Sequence, residues 1–246
     1  DCPSVNDIRR SSNKKMYGIS EVISMKIGIM GGTFDPIHNG HLHLARTALT
    51  QFDLDQIWFM PSSLPPHKRA QKVTEGTEPP HKKQSSIESD IHERIAMTRI
   101  AIKANKQFYL QEYEAKREKV SYSYKTMEHF RKMYPDDEFY FIIGADSLFS
   151  IETWKHPERL FKACIILAAC RDEAATKESL NGQIQMLKGK YGAYIKFLAM
   201  PLEHVSSHEI RKLIESGEPV SEYIPAEVEA YIRKEGLYGS GNRKNQ

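Results

Sequence analysis

From residue 25 onward, apolar residues fall into two alternating patterns. Short continuous runs occur at Lys26-Ile27-Gly28-Ile29-Met30, at 56–61, at Phe108-Tyr109-Leu110, at 138–144, at 164–169 and at 194–200. Runs of this length, bounded by polar or turn residues, predict strands covered on both faces. Between them apolar positions recur at helical spacing, first at Leu42, Ala45, Leu49 and Phe52. Further helices are predicted over about 91–104 and 124–133, and two closing ones over about 207–216 and 225–235. This order implies an α/β chain with a Rossmann-like, doubly wound parallel sheet and small C-terminal helices. Ligands of such sheets bind beyond the carboxyl ends of the strands, near the point where strand order reverses. Four turns follow strand candidates: Gly31 to His41, Pro65 to Lys68, Gly144 to Ser147, and Val205 to Arg211. One rim of one sheet would gather them all.

The pattern also sets the expected domain limits. Residues 1–24 carry Arg9-Arg10 and Lys14-Lys15 among serines and asparagines without an apolar centre, so they read as a disordered extension rather than a signal peptide. A single domain is expected over 25–238, beginning at Met25, with a disordered tail over 239–246. Within the domain, 69–89 turns polar and Pro-rich, a long loop that repeats Pro65-Pro66-His67-Lys68 as Pro79-Pro80-His81-Lys82.

Composition narrows the class only slightly. With 246 residues, 40% of them hydrophobic, the chain is long enough to bury a substantial core. A net charge of +3, spread along the sequence, gives no argument for nucleic acid and suits a small anionic substrate. Cys2, Cys164 and Cys170 form neither a metal spacing nor a disulfide framework, and the last two flank an apolar run as reduced core thiols would. No apolar stretch approaches the roughly 20 residues of a membrane span, so a cytoplasmic protein is expected, with no membrane partner.

The chemistry begins at Gly31-Gly32-Thr33-Phe34-Asp35-Pro36-Ile37-His38-Asn39-Gly40-His41. This segment joins a buried strand to a helix and brings two histidines to the helix's first turn. Unpaired N–H groups and the positive dipole end at a helix start favour an anion, and glycines let it approach the backbone. The glycine spacings fit neither the dinucleotide fingerprint nor the Walker loop. A metal role for the histidine pair lacks a third ligand at a zinc spacing. Pro36 reads as a loop stiffener and Asn39 as the cap of a helix beginning near Gly40.

His38-Asn39-Gly40-His41 resembles the HxGH signature of the nucleotidyltransferase superfamily. Further segments resemble bacterial nicotinate-nucleotide adenylyltransferase. They are Pro65 to Lys68, Arg94 with Met97, Ser121-Tyr122-Ser123, Ile143 to Leu148 with Trp154, Ser206 to Arg211, Tyr223-Ile224-Pro225, and Gly236-Leu237-Tyr238. The resemblance implies a nucleotidyltransferase-type fold and transfer of AMP from ATP to nicotinate mononucleotide with Mg²⁺ assisting, in NAD biosynthesis. It implies His38, His41 and Arg211 as catalytic groups, with Arg211 holding the leaving phosphates through its planar fork. Gly31, Gly32, Thr33, Phe34, Ser206, Ser207 and Ile210 would bind ATP. Lys68, Ser123, Asp146 and Trp154 would bind the nicotinate nucleotide, Trp154 by stacking. Read from the residues alone, Trp154 serves nearly equally as a core aromatic and a cap role competes for Asp146 without excluding binding, while Arg211 would be a solvated helix charge if Ser206-Ser207 did not precede it.

Departures from the pattern stand at His208, where the family usually has threonine, at Lys125, where aspartate is common, and at Arg171-Asp172-Glu173 in place of an Arg-Pro-Gly turn. Two rivals stay open: pantetheine-phosphate adenylyltransferase, and a nucleotide-binding regulator of the same fold without turnover. The choice between nicotinate and nicotinamide, and whether the protein forms a homo-oligomer, are open at this stage.

Overall fold

A computed structural model describes residues 24–63, 87–117, 120–171, 174–200 and 206–240. Six strands form one sheet: β1 (Lys26–Gly32), β2 (Gln56–Pro61), β3 (Phe108–Leu110), β4 (Glu138–Gly144), β5 (Ile165–Arg171) and β6 (Ile195–Met200). Their spatial order is β3-β2-β1-β4-β5-β6, and every neighbouring pair is parallel. The order runs backward through the first three strands and forward through the last three, so it reverses between β1 and β4. Gly32 and Gly144 end those two strands, which places the histidine loop and the Gly144 turn on either side of the reversal point.

The side-chain period of two divides the core into two layers. Ile27 and Ile29 of β1 and Phe139, Phe141 and Ile143 of β4 face one layer. Met30, Tyr140 and Ile142 face the other. Against the first layer pack α3 (Ser123–Met133), α4 (Ala145–Ser150), α5 (Pro157–Ala163) and α6 (Ala174–Tyr191). Against the second pack α1 (Asn39–Phe52), α2 (Ile91–Ile102), α7 (Ser207–Ser216) and α8 (Ala226–Glu235). Gly28 of β1 makes room for the side chain of its β2 neighbour, since a Cβ there would lie 2.4 Å from Ile57 Cδ1.

The strands and helices expected from the apolar pattern are present, but the short α5 and the long α6 are additions. In α6 the reason is visible. Its buried Leu180, Ile184 and Leu187 recur at i, i+4 and i+7, a helical signal diluted by Gly182, Gly189 and a lysine-rich exposed face. Two chain segments read as loop or tail reach into the fold. Glu88 and Ser89 donate their backbone N–H groups to Asp35, at 2.7 and 3.3 Å, and Gly239 and Ser240 close a 3-10 turn (Leu237–Gly239) against α8. Residues 1–23 and the greater part of the 69–89 loop lie outside the described residues. Cys164 and Cys170 are buried and outside any disulfide, and desolvation pushes the Cys164 thiol up. Among the described residues no helix is long and apolar enough to cross a membrane.

Candidate active site

The loop after β1 is built on Phe34, which is buried and has a positive φ of 49°. Its ring lies so close beneath Gly32 that a Cβ at 32 would come within 2.9 Å of Phe34 Cε1. The same ring meets His41 edge-on at 5.1 Å, so the glycine, the phenyl and the imidazole are one packed stack. Gly31 stays exposed on top, and a Cβ there would meet only ordinary contacts.

His38 is the N-cap of α1, and Asn39 is its first helical residue. The expectation that Asn39 caps the helix is therefore corrected. The cap geometry comes from the histidine pair, because the His38 backbone N–H donates to His41 Nδ1 at 3.2 Å. Asn39 instead ties the loop to the chain ahead of α8, its N–H donating to Tyr223 O at 2.7 Å and its side-chain amide to Glu222 O at 2.9 Å. One of the helix-start N–H groups expected to face an anion is thus already used. The two imidazoles lie 3.7 Å apart between centroids.

Because His41 Nδ1 accepts a backbone N–H, its proton sits on Nε2, which becomes the outward donor. Burial holds His38 down at about 4, and burial together with the neighbouring His38 holds His41 well below the usual histidine value. At neutral pH both rings are therefore uncharged hydrogen-bonding groups. His38 is 8% exposed, and its Nδ1 is buried without a hydrogen-bond partner. A buried polar atom of this kind costs stability unless a ligand satisfies it.

The second half of the site is the start of α7, and direct bonds join it to the first. Ser207 Oγ donates to Pro36 O at 2.9 Å, and the Arg211 guanidinium donates to Asp35 O at 2.7 Å and to the Glu88 carboxylate at 2.7 Å. Arg211 is 5% exposed, which rules out the solvated helix charge. Ser206 is committed to a capping box with Glu209, whose carboxylate takes both the Ser206 N–H and its hydroxyl. Ile210 is fully buried in the core and seats the helix. His208, in the same turn, is exposed.

Ser123 is the first residue of α3, on the rim shared with the histidine loop. Asp146 lies in the first turn of α4, exposed, while Gly144 is the N-cap, so the capping role considered for Asp146 is not the one it has. Trp154 is half-buried, packs against the core and meets Phe141 edge-on at 6.4 Å. It combines a core edge with an accessible remainder. Lys68, the repeated His81-Lys82, Asp172 and Glu173 lie outside the described residues.

Three residues without an assigned role from sequence organise this site. Asp35, 2% exposed, accepts from the backbone of residues 88 and 89 and from the Tyr238 hydroxyl at 2.7 Å. Arg94, 1% exposed, donates to Thr33 O at 2.7 Å and Ser62 O at 2.8 Å, binding the loops after β1 and β2 together. Glu114 is buried, takes the Thr126 hydroxyl at 2.7 Å, and has its carboxyl pushed up by desolvation; it anchors the segment ahead of Ser121 to α3. The sequence signals the polar residues themselves, but their partners lie 12 to 203 positions away.

Residues 29–213 match the cytidylyltransferase-like family. A protein of Clostridium tetani named "probable nicotinate-nucleotide adenylyltransferase" is 38% identical over 213 residues, covering 87% of this chain and 98% of its own. One of the same name from Carboxydothermus hydrogenoformans is 39% identical with the same coverage. Among solved structures, Plasmodium falciparum nicotinic acid mononucleotide adenylyltransferase complexed with NaAD superposes with a TM-score of 0.65. It is 20% identical, over 87% of this chain and 98% of that one, and so corroborates the fold. With a histidine loop and a serine-arginine helix bonded together at the sheet's reversal point, and with relatives matched over nearly their whole length, the chain belongs to the nicotinate-nucleotide adenylyltransferase family.

Proposed function

We propose that this protein transfers the adenylyl group of ATP to nicotinate mononucleotide, giving nicotinate adenine dinucleotide and pyrophosphate in NAD biosynthesis. The observation that carries the reading is the direct bonding of the two phosphate-handling segments through Asp35 and Pro36. In the reaction a phosphate oxygen of the mononucleotide attacks the α-phosphorus of ATP, and the bond to the β-phosphate oxygen breaks. No covalent enzyme intermediate is needed, so the protein's tasks are alignment and charge stabilisation.

The residues are suited to these tasks. His41 Nε2–H donates to the α-phosphate as charge grows there, and the orphan His38 Nδ1 site adds a second ring for the triphosphate. The bound anion draws both imidazoles toward their protonated forms, since nearby negative charge favours the cation. Arg211 takes the leaving pyrophosphate by exchanging the Glu88 carboxylate for phosphate oxygens. Gly31 leaves the backbone open to the nucleotide, with Gly32, Thr33 and Phe34 shaping the loop beneath. Ser123, Asp146 and Trp154 receive the acceptor nucleotide, Trp154 through the pyridine ring; Lys68 stays assigned to its phosphate by resemblance alone.

Among the described residues no three His, Cys, Asp or Glu side chains stand together as a metal cage. The described residues therefore do not form a site for Mg²⁺ by themselves, and the ion implied by the family would be held by phosphate oxygens and water. No step above is routed through it.

The test is pyrophosphate release by the purified protein with ATP and Mg²⁺ on adding nicotinate mononucleotide. Release only with phosphopantetheine overturns the substrate assignment, and nucleotide binding without release in either case supports the regulator reading instead.

A further inference from the structure

The start of α3 gathers positive charge that the reaction outlined above does not use. Its first turn contains no acidic residue, and its N-cap Tyr122 makes no side-chain cap. Two ammonium groups share the Tyr122 ring instead, Lys125 Nζ at 5.9 Å and Lys155 Nζ at 5.0 Å from its centroid. They come from different elements, one from α3 and one from the segment between Trp154 and α5. Both lysines are exposed. The nearby carboxylates are already matched, Glu128 to Arg159 at 2.6 Å and Glu158 to His156 at 3.1 Å. The same segment also holds Ser121 Oγ, a buried hydroxyl without a hydrogen-bond partner.

The position of this charge is specific. Lys125 follows Ser123 by two residues and Lys155 follows Trp154 directly, and these two residues are assigned above to the acceptor nucleotide, Trp154 to its pyridine ring. Resting on that reading, we propose that Lys125 and Lys155, steadied together on the ring of Tyr122, select the pyridine nucleotide that bears a carboxylate over the one that bears a carboxamide. The two nucleotides share ribose, phosphate and ring shape, and differ by one negative charge on the ring substituent. A hydrogen-bonding subsite distinguishes them by donor geometry, whereas a pair of cations within a Debye length distinguishes them by charge. The cation–π contact with Tyr122 limits the wandering of two long side chains, so less order is lost when the carboxylate arrives.

The experiment measures kcat/KM for nicotinate and nicotinamide mononucleotides at saturating ATP, in the wild type and in the double variant Lys125→Ala, Lys155→Ala. The acid-to-amide ratio is expected to fall roughly 5- to 10-fold, the size of effect two partly screened charges exert. The salt dependence of the ratio is expected to flatten, and arginine at both positions to restore it. Folding is checked by circular dichroism and by the KM for ATP. An equal loss for both nucleotides, which would assign the lysines to the shared phosphate, overturns the proposal, as does an unchanged ratio. A wild type that turns over neither nucleotide refutes the underlying assignment of the reaction, a result distinct from turnover with an unmoved ratio.

Discussion

Arg211 and Glu88, 123 positions apart in sequence, meet as an ion pair at 2.7 Å in the middle of the proposed phosphate site. The arginine is 5% exposed and the glutamate 44%, so the cation is fixed while its anion reaches in from the solvent side. A carboxylate oxygen here occupies one of the directions that a phosphate oxygen needs. Glu88→Gln keeps the shape and removes the competing charge, and the KM for ATP is expected to fall about 3- to 10-fold, the scale of a partly exposed pair. ATP titrations with the acceptor saturating decide it. A raised KM would mean that the carboxylate aims the guanidinium rather than competing for it.

His41 performs two separable tasks on its two nitrogens. Nδ1 accepts the His38 N–H and helps set the start of α1, which leaves Nε2–H as the donor proposed to face the α-phosphate. His41→Asn offers a short side-chain oxygen that mimics the Nδ1 task without the reach of Nε2. We expect kcat to drop about 10²- to 10³-fold in this variant, as for loss of a donor to a developing oxyanion, with little change in thermal midpoint. Comparison with His41→Ala isolates the structural task, since alanine loses both. A folded asparagine variant with near-normal kcat would remove His41 from the chemistry.

The depressed His38 value makes stability depend on pH in a defined window. The unfolded chain protonates this ring near 6.5, whereas the folded protein holds it neutral down to about 4. As pH falls between those values the unfolded state binds the proton first, so stability is lost on acidification, and the loss levels off below about 4. The full penalty is about 3–4 kcal/mol, at about 1.4 kcal/mol per unit of depression. His41 is depressed in the same direction and deepens the slope. Denaturant midpoints at pH 7 and 5 are expected to differ less in His38→Gln than in the wild type. An equal difference in both would place the acid sensitivity elsewhere.

Periodicity made the sheet legible because nearly every strand position reports its own burial. Ile27 and Ile29 against Met30, or Phe141 against Ile142, are sorted by parity alone. The helix 174–191 escaped because its apolar stripe is narrow and its exposed face polar. In the site, the residues of His38 to His41 are adjacent in sequence and display their spacing directly. The bonds of Asp35, Arg94 and Arg211 do not, since nothing local indicates that Glu88 will sit on Arg211 or that Tyr238 will sit on Asp35. A residue's type shows what it is able to bind; which partner it meets depends on the folded sheet. Asn39 shows the converse limit. A good capping residue was displaced from the cap by a neighbouring histidine pair whose geometry appears only once the ring of Phe34 is packed beneath it.

Tyr238 closes the site from the far end of the chain. Its backbone is in the left-handed region at φ 54°, which a non-glycine residue adopts only against some steric cost. Its hydroxyl accepts from Ser89 Oγ at 2.8 Å and donates to Asp35 Oδ1 at 2.7 Å, and burial with the nearby Asp35 pushes the phenol up, so it remains a donor at any physiological pH. Tyr238→Phe keeps the ring and removes the link. A loss of about 1–2 kcal/mol is expected, one buried donor's worth with its acceptor left short. Ser89→Ala removes the other end of the same chain of bonds, so the double variant should lose clearly less than the sum of the single losses. Because the Glu88 backbone hangs on the same Asp35 carboxylate, the tyrosine variant should also shift the KM for ATP, and a Glu88→Gln background should blunt that shift. Additive stabilities together with an ATP KM that ignores Tyr238 would show that the C-terminal turn is packing alone, without a hold on the phosphate site.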